Sequence, residues 1–89
     1  MSSFIIEFSD EAKKDILFFQ KTGNKAILQK IKNLIIAIQE NPFTGIGKPE
    51  PLKYSFSGLW SRRINREHRM IYDIAENLIT ILSLKGHYE

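Results

Sequence analysis

Glu50 stands between Pro49 and Pro51, with Lys48 and Lys53 close on either side. Each proline fixes its own φ and restricts the residue before it, so this carboxylate sits on an unusually stiff piece of chain. A general base must stay within hydrogen-bond reach of the proton it takes, and rigid presentation suits that task. The ordinary alternative for a loop glutamate is a solvated charge paired with a nearby lysine. A second set closes the chain, His87-Tyr88. Terminal residues are usually frayed, but the apolar run Leu78–Leu84 just before them should anchor the tail. A histidine beside a phosphate holds its proton more tightly and can donate it near neutral pH. A neighbouring tyrosine can stack on a base.

The cations are Arg62, Arg63 and Arg69. Strand alternation sends Arg62 and Arg63 to opposite faces, so one of them is expected to be structural or to reach a partner protein. Arg69 lies inside a predicted strand, where a guanidinium could clamp a phosphate with two hydrogen bonds. His68 could pair with His87 in two-histidine acid–base chemistry, but alternation points it away from the face of Arg69. Trp60, Tyr72 and Phe56 read as core. The chain has no cysteine, and neither a metal-ligand cluster nor a phosphate-cradling glycine loop is found.

Charge gathers in the same stretch. Residues 46–69 hold six Lys and Arg against two Glu, a net charge of +4, while the whole chain carries +3. The remainder is therefore slightly acidic. A concentrated positive field draws polyanions and speeds their encounter.

These groups need elements to position them. Residues 4–8, Phe-Ile-Ile-Glu-Phe, read as a short strand. Ser9 is a helix N-cap, with Asp10 and Glu11 on the first turn, and Ala12, Ile16 and Phe19 recur at helical spacing to about Lys21. Thr22-Gly23-Asn24 breaks that helix. Ile27, Ile31, Leu34, Ile35 and Ile38 form the stripe of a second helix, which Pro42 ends near Glu40 or Asn41. The short link implies an antiparallel helical hairpin. Residues 42–58 carry three Pro and three of the five Gly, so they form a stiff loop with a short strand near Leu52–Phe56. Beyond it the period becomes two. Trp60, Arg62 and Ile64 share a face, then His68, Met70, Tyr72 and Ile74, with turns at Asn65–Glu67 and Ala75–Asn77. Leu78–Leu84 suits the middle of a sheet. The expected fold is α+β: an N-terminal strand and a two-helix antiparallel hairpin packed on a twisted antiparallel sheet of four to five strands.

At 89 residues the chain is expected to be one domain, residues 1–89. An apolar fraction of 43% and a charged fraction of 26% are those of a globular protein. No apolar run approaches the roughly 20 residues of a membrane span. Met1-Ser2-Ser3-Phe4-Ile5-Ile6-Glu7 is too short and too soon acidic for a signal peptide. A cytoplasmic protein is expected.

The run Asn41-Pro42-Phe43-x-Gly45-x-Gly47-Lys48-Pro49-Glu50-Pro51-Leu52-Lys53 resembles the YoeB/Txe toxins of bacterial toxin–antitoxin modules. So do Ser57-Gly58-x-Trp60-Ser61-Arg62-Arg63-Ile64-Asn65, Glu67-His68-Arg69-x-x-Tyr72 and His87-Tyr88. The likeness runs nearly end to end. The wider group is the RelE/ParE superfamily, and it implies a RelE-like antiparallel sheet with an N-terminal helical hairpin.

What the resemblance implies is a metal-independent endoribonuclease without cofactors, an mRNA interferase acting in the ribosomal A site and inhibiting translation. Glu50 then looks like the general base for the 2′-hydroxyl, His87 like the general acid for the leaving 5′-oxygen and Arg69 like the phosphorane stabiliser. Tyr88 would orient the substrate, while Lys48, Lys53 and Arg63 would add charge at the phosphates. The implied partners are mRNA on the ribosome, a YefM-like antitoxin with a disordered acidic tail, and a second copy in a homodimer. The family commonly ends at the His-Tyr pair, where this chain adds Glu89. Two other readings remain: a gyrase poison of the ParE kind, which would not need Glu50 and His87, and a nucleic-acid binder that does not cut.

Overall fold

The structure, a computed structural model, describes residues 4–86. The elements run β1 (Ile5–Phe8), α1 (Asp10–Lys21), α2 (Lys25–Glu40), β2 (Glu50–Pro51), a single 3₁₀ turn (Tyr54–Phe56), β3 (Leu59–Arg63), β4 (Arg69–Ala75) and β5 (Leu78–Ser83). Both helices are capped as their sequences require. Ser9 Oγ accepts the Ala12 N–H at 3.1 Å, and Asn24 Oδ1 accepts the Ile27 N–H at 3.1 Å. Each cap satisfies an amide that the helix itself leaves unpaired.

The five strands form one sheet in the order β1-β5-β4-β3-β2. Pairing is antiparallel throughout β2–β5, and β1 runs parallel to β5, with Ile5 opposite Leu78 and Phe8 opposite Ile81. The sheet is thus mixed, with the N-terminal strand entering its edge in the parallel sense. The helices cover one face. Ala12 and Phe19 of α1 and Ile27, Ile31, Leu34 and Ile38 of α2 meet Met70, Tyr72, Ile79 and Ile81 in one core.

Two differences from the sequence reading are local. The short strand expected near Leu52–Phe56 lies instead at Glu50–Pro51, and Tyr54–Phe56 is a 3₁₀ turn. β2 is an edge strand, where the missing proline N–H disrupts no ladder. The period of two in β5 also slips once. Ile71 faces Ser83 but Tyr72 faces Ile81, so the strand carries a bulge there. The slip lets Ile81 and Leu84 both reach the core, each 0% exposed.

Candidate active site

Register decides which charged groups share a face. Glu50 is opposite Ser61, Ser61 is opposite Ile71, and Arg63 is opposite Arg69. Cross-strand partners point the same way, so Glu50, Arg63 and Arg69 stand on one face of the sheet. Trp60, Met70 and Tyr72 point to the other face, towards the helices. Strands lie about 4.8 Å apart and rise about 3.4 Å per residue, so Arg69, two strands across and two residues along, starts roughly 12 Å from Glu50.

Glu50, Lys48, Lys53 and Arg63 are all exposed. Among the described residues their charged groups make no hydrogen bond or ion pair. Lys48 has a left-handed backbone, φ 50, where a side chain other than glycine is uncommon. Arg69 is held differently. Its Nη1 donates to the carbonyls of Asn65, Arg66 and His68 at 2.7, 3.2 and 3.2 Å. Asn65 Oδ1 in turn accepts the N–H groups of Glu67 and His68 at 2.9 and 2.8 Å. One end of the guanidinium is thus fixed to the β3–β4 turn. Its Nε and Nη2 hydrogens carry no partner among the described residues and suit a two-point grip on an anion.

Arg62 is the structural one of the adjacent pair. It is 0% exposed and donates to Tyr72 Oη at 3.2 Å, Ile46 O at 3.0 Å, Asn41 O at 2.6 Å and Thr44 O at 2.9 Å. Tyr72 Oη donates onward to Pro42 O at 2.7 Å. No carboxylate joins this group among the described residues; backbone carbonyls solvate the buried charge instead. The result is a loop, residues 41–47, folded around one guanidinium. Gly47 ends it where space is least: a Cβ there would lie 2.7 Å from Leu34 Cδ2, and its φ is +83. Its carbonyl accepts the Arg63 N–H, which ties the loop to β3 directly before Lys48 and Glu50.

His87 and Tyr88 lie outside the described residues, and the segment leading to them is anchored at three points. Asp15 Oδ2, buried in α1, accepts the Leu84 N–H at 2.8 Å. Lys85 Nζ lies 4.0 Å from the centre of the Phe18 ring, a cation–π contact. Gly86 donates its N–H to His68 Nδ1 at 2.8 Å and accepts the Arg69 N–H at 2.8 Å. The His68 ring packs edge-on against Phe19, centroids 5.2 Å apart, so it does turn away from the face of Arg69. Among the described residues no three His, Cys, Asp or Glu gather as a metal-binding group. A cleft of about 410 Å³ between α2 and the 41–46 loop is lined by Ile36, Glu40, Thr44 and Ile46 among others, and it belongs to the helical side.

A sequence model described as the YoeB-like toxin of bacterial type II toxin–antitoxin systems matches residues 8–88. The chain belongs to this family. Toxin YoeB of Synechocystis is 50% identical over 84 residues, 94% of this chain and 96% of that protein. Two solved structures from Staphylococcus aureus agree in fold. A YoeB–YefM complex gives a TM-score of 0.84 at 44% identity, covering 98% of this chain and 100% of that one. A YoeB dimer gives 0.85 at 44% identity, covering 96% and 98%. This YoeB-like chain is thus a toxin of a type II toxin–antitoxin system.

Reading the sequence of this YoeB-like chain passed over one exposed aromatic residue. Tyr54 is 92% exposed and has φ 58, an unusual backbone for an aromatic residue. It follows Lys53 in the 3₁₀ turn, three residues beyond Pro51. An aromatic beside a lysine in a proline-stiffened loop was the signal available for it.

Proposed function

We propose that the toxin is a ribosome-dependent mRNA endoribonuclease. The observation that carries this reading is the placement of Glu50, Arg63 and Arg69 on one sheet face that the helices leave uncovered. Glu50 takes the proton of a ribose 2′-hydroxyl in the A-site codon. The 2′-oxygen attacks the adjacent phosphorus, and the P–O5′ bond breaks. His87 delivers a proton to the leaving 5′-oxygen. The products are a 2′,3′-cyclic phosphate and a 5′-hydroxyl, so protons and bonds balance without water. Arg69 stabilises the extra charge of the phosphorane, the term that usually dominates such catalysis. Lys48, Lys53 and Arg63 hold neighbouring phosphates, and Tyr88 orients the substrate. None of these roles calls for a metal ion.

The S. aureus relatives, one a YoeB–YefM complex and one a YoeB dimer, support two partners for this chain. One is an antitoxin, whose acidic tail would cover the unpaired cations and fold as it binds. The other is a second copy of the toxin. An mRNA-cutting toxin of this kind works in the cytoplasm.

The deciding experiment is primer extension on a defined mRNA in a purified translation system, comparing wild type with Glu50→Ala, Arg69→Ala and His87→Ala. Stops at A-site codons that require ribosomes and vanish in the variants are expected. Stops that persist in all three variants would remove these residues from the mechanism. Inhibited growth without any stops would favour a gyrase poison, and salt-sensitive RNA binding without cleavage would favour a simple binder.

A further inference from the structure

His68 occupies an unusual node. Its carbonyl accepts the N–H groups of Ile64 and Asn65 at 3.0 and 3.3 Å and the Arg69 Nη1 hydrogen at 3.2 Å. Its own N–H is held by Asn65 Oδ1. Its ring rests against Phe19, and the side chain is 12% exposed. Its Nε2 lies 3.6 Å from Glu67 Oε1, and the other ring nitrogen makes the decisive contact. Nδ1 accepts the Gly86 N–H at 2.8 Å, so Nδ1 must carry a lone pair, and the network assigns the ring proton to Nε2. The next residue, Arg69, donates its N–H to the Gly86 carbonyl at 2.8 Å. Residues 68 and 69 therefore grip both sides of Gly86. There the backbone turns with φ +78, immediately before His87.

We infer that His68 is a positioning residue for the C-terminal acid. Its Nδ1 lone pair, by holding the Gly86 N–H, sets where and in what direction the chain enters His87. The inference rests on the reading of His87 as general acid. His68 also accepts a hydrogen bond from Arg69, so one residue sets the spacing between the cation and the acid. Small displacements of a catalytic group lower rates far more than they lower affinity. This role differs from that of a second acid or base, because the Nδ1 lone pair is spent on the Gly86 N–H and not on substrate.

Three substitutions test it. In His68→Asn, Oδ1 falls near the place of Nδ1 and can accept the same N–H. In His68→Gln the acceptor falls nearer Nε2, and His68→Leu has none. Single-turnover cleavage on programmed ribosomes separates the rate at saturation from the half-saturating ribosome concentration. Amide exchange at Gly86, read by NMR on the free toxin, reports the clamp directly. The Leu and Gln variants are expected to lose about tenfold in rate, the worth of one hydrogen bond, with half-saturation unchanged and Gly86 exchange accelerated. The Asn variant is expected to restore both. Wild-type rates in all three variants would overturn the inference. So would an Asn variant that protects Gly86 yet cuts as slowly as Leu, since the ring itself would then carry the chemistry. If Leu fails to fold, the Asn–Gln pair decides alone. A wild type that cuts nothing would fail the ribonuclease reading, while unaltered Gly86 exchange in the variants would fail the clamp.

Discussion

Arg63 and Arg69 face each other directly across the β3–β4 ladder. Like charges in that relation destabilise a sheet, and an anion bound between them would relieve the repulsion. Arg63 is exposed, and solvent screens much of the effect. Arg63→Gln is therefore expected to raise stability by only about a few tenths of a kcal/mol at low salt. Added phosphate should lift the melting temperature of wild type more than that of the variant. Equal shifts would show that the two guanidinium groups do not share an anion.

The Arg62 cluster should be the most sensitive spot outside the core. Arg62→Met leaves the carbonyls of Asn41, Thr44 and Ile46 without their buried donor. A loss of about 3 kcal/mol or more in urea unfolding is expected, because several partners go at once. Arg62→Lys should recover only part of it, since one ammonium cannot match the planar fork. On the proposed ribonuclease reading both variants should also cut more slowly, because the loop leads into Glu50. An unfolding midpoint within error of wild type would contradict this picture.

Tyr72 gives a pH dependence with a defined sign. Burial raises its pKa above the ordinary 10.0, more than the hydrogen bond and the charge of Arg62 lower it. The unfolded chain then loses this proton at lower pH than the native one. Stability from this group is complete below about pH 10 and declines as pH rises from there through the native value. Tyr72→Phe should remove that part of the decline. It should also lose about 1 kcal/mol near neutrality, as Pro42 O gives up its donor. Unfolding curves from pH 8 to 11 would show whether the two pH profiles converge.

Gly47→Ala combines two penalties. The backbone is left-handed and the new methyl meets Leu34. A loss of about 2 kcal/mol or more is expected, of which left-handedness alone supplies about 1 to 2. Gly23→Ala is the control, since its φ of +69 is similar and open space surrounds it. Calorimetry should rank Gly47→Ala clearly below Gly23→Ala.

Much of this was legible in the sequence, and the residues show why. The Ile27–Ile38 stripe and the Ser9 cap depend on local chemistry, and α1 and α2 lie within a residue or so of where that chemistry places them. Alternation correctly separated Arg62 from Arg63. The direction of β1 was not legible, because a period of two has no sense along the sheet. β2 was misplaced because Pro51 argues against a strand, and only its edge position makes the proline harmless. The partners of Arg62 and His68 are backbone groups, which every residue possesses, so no side-chain pattern announces them. Glu50 was conspicuous for the opposite reason: its two prolines are written in the chain.

The parallel pairing of β1 with β5 bears on how the toxin is made. Ile5 finds its partner at Leu78, and Ser9 donates to the carbonyls of Ile81 and Leu82. Synthesis proceeds from the N-terminus, so β1 waits unpaired through almost the entire elongation of its own chain. Nascent chains arrested before Leu78 should remain protease-sensitive across residues 4–40. Full-length chains released from the ribosome should not. The ribosome that translates this message would thus finish its work before the product can close its own sheet.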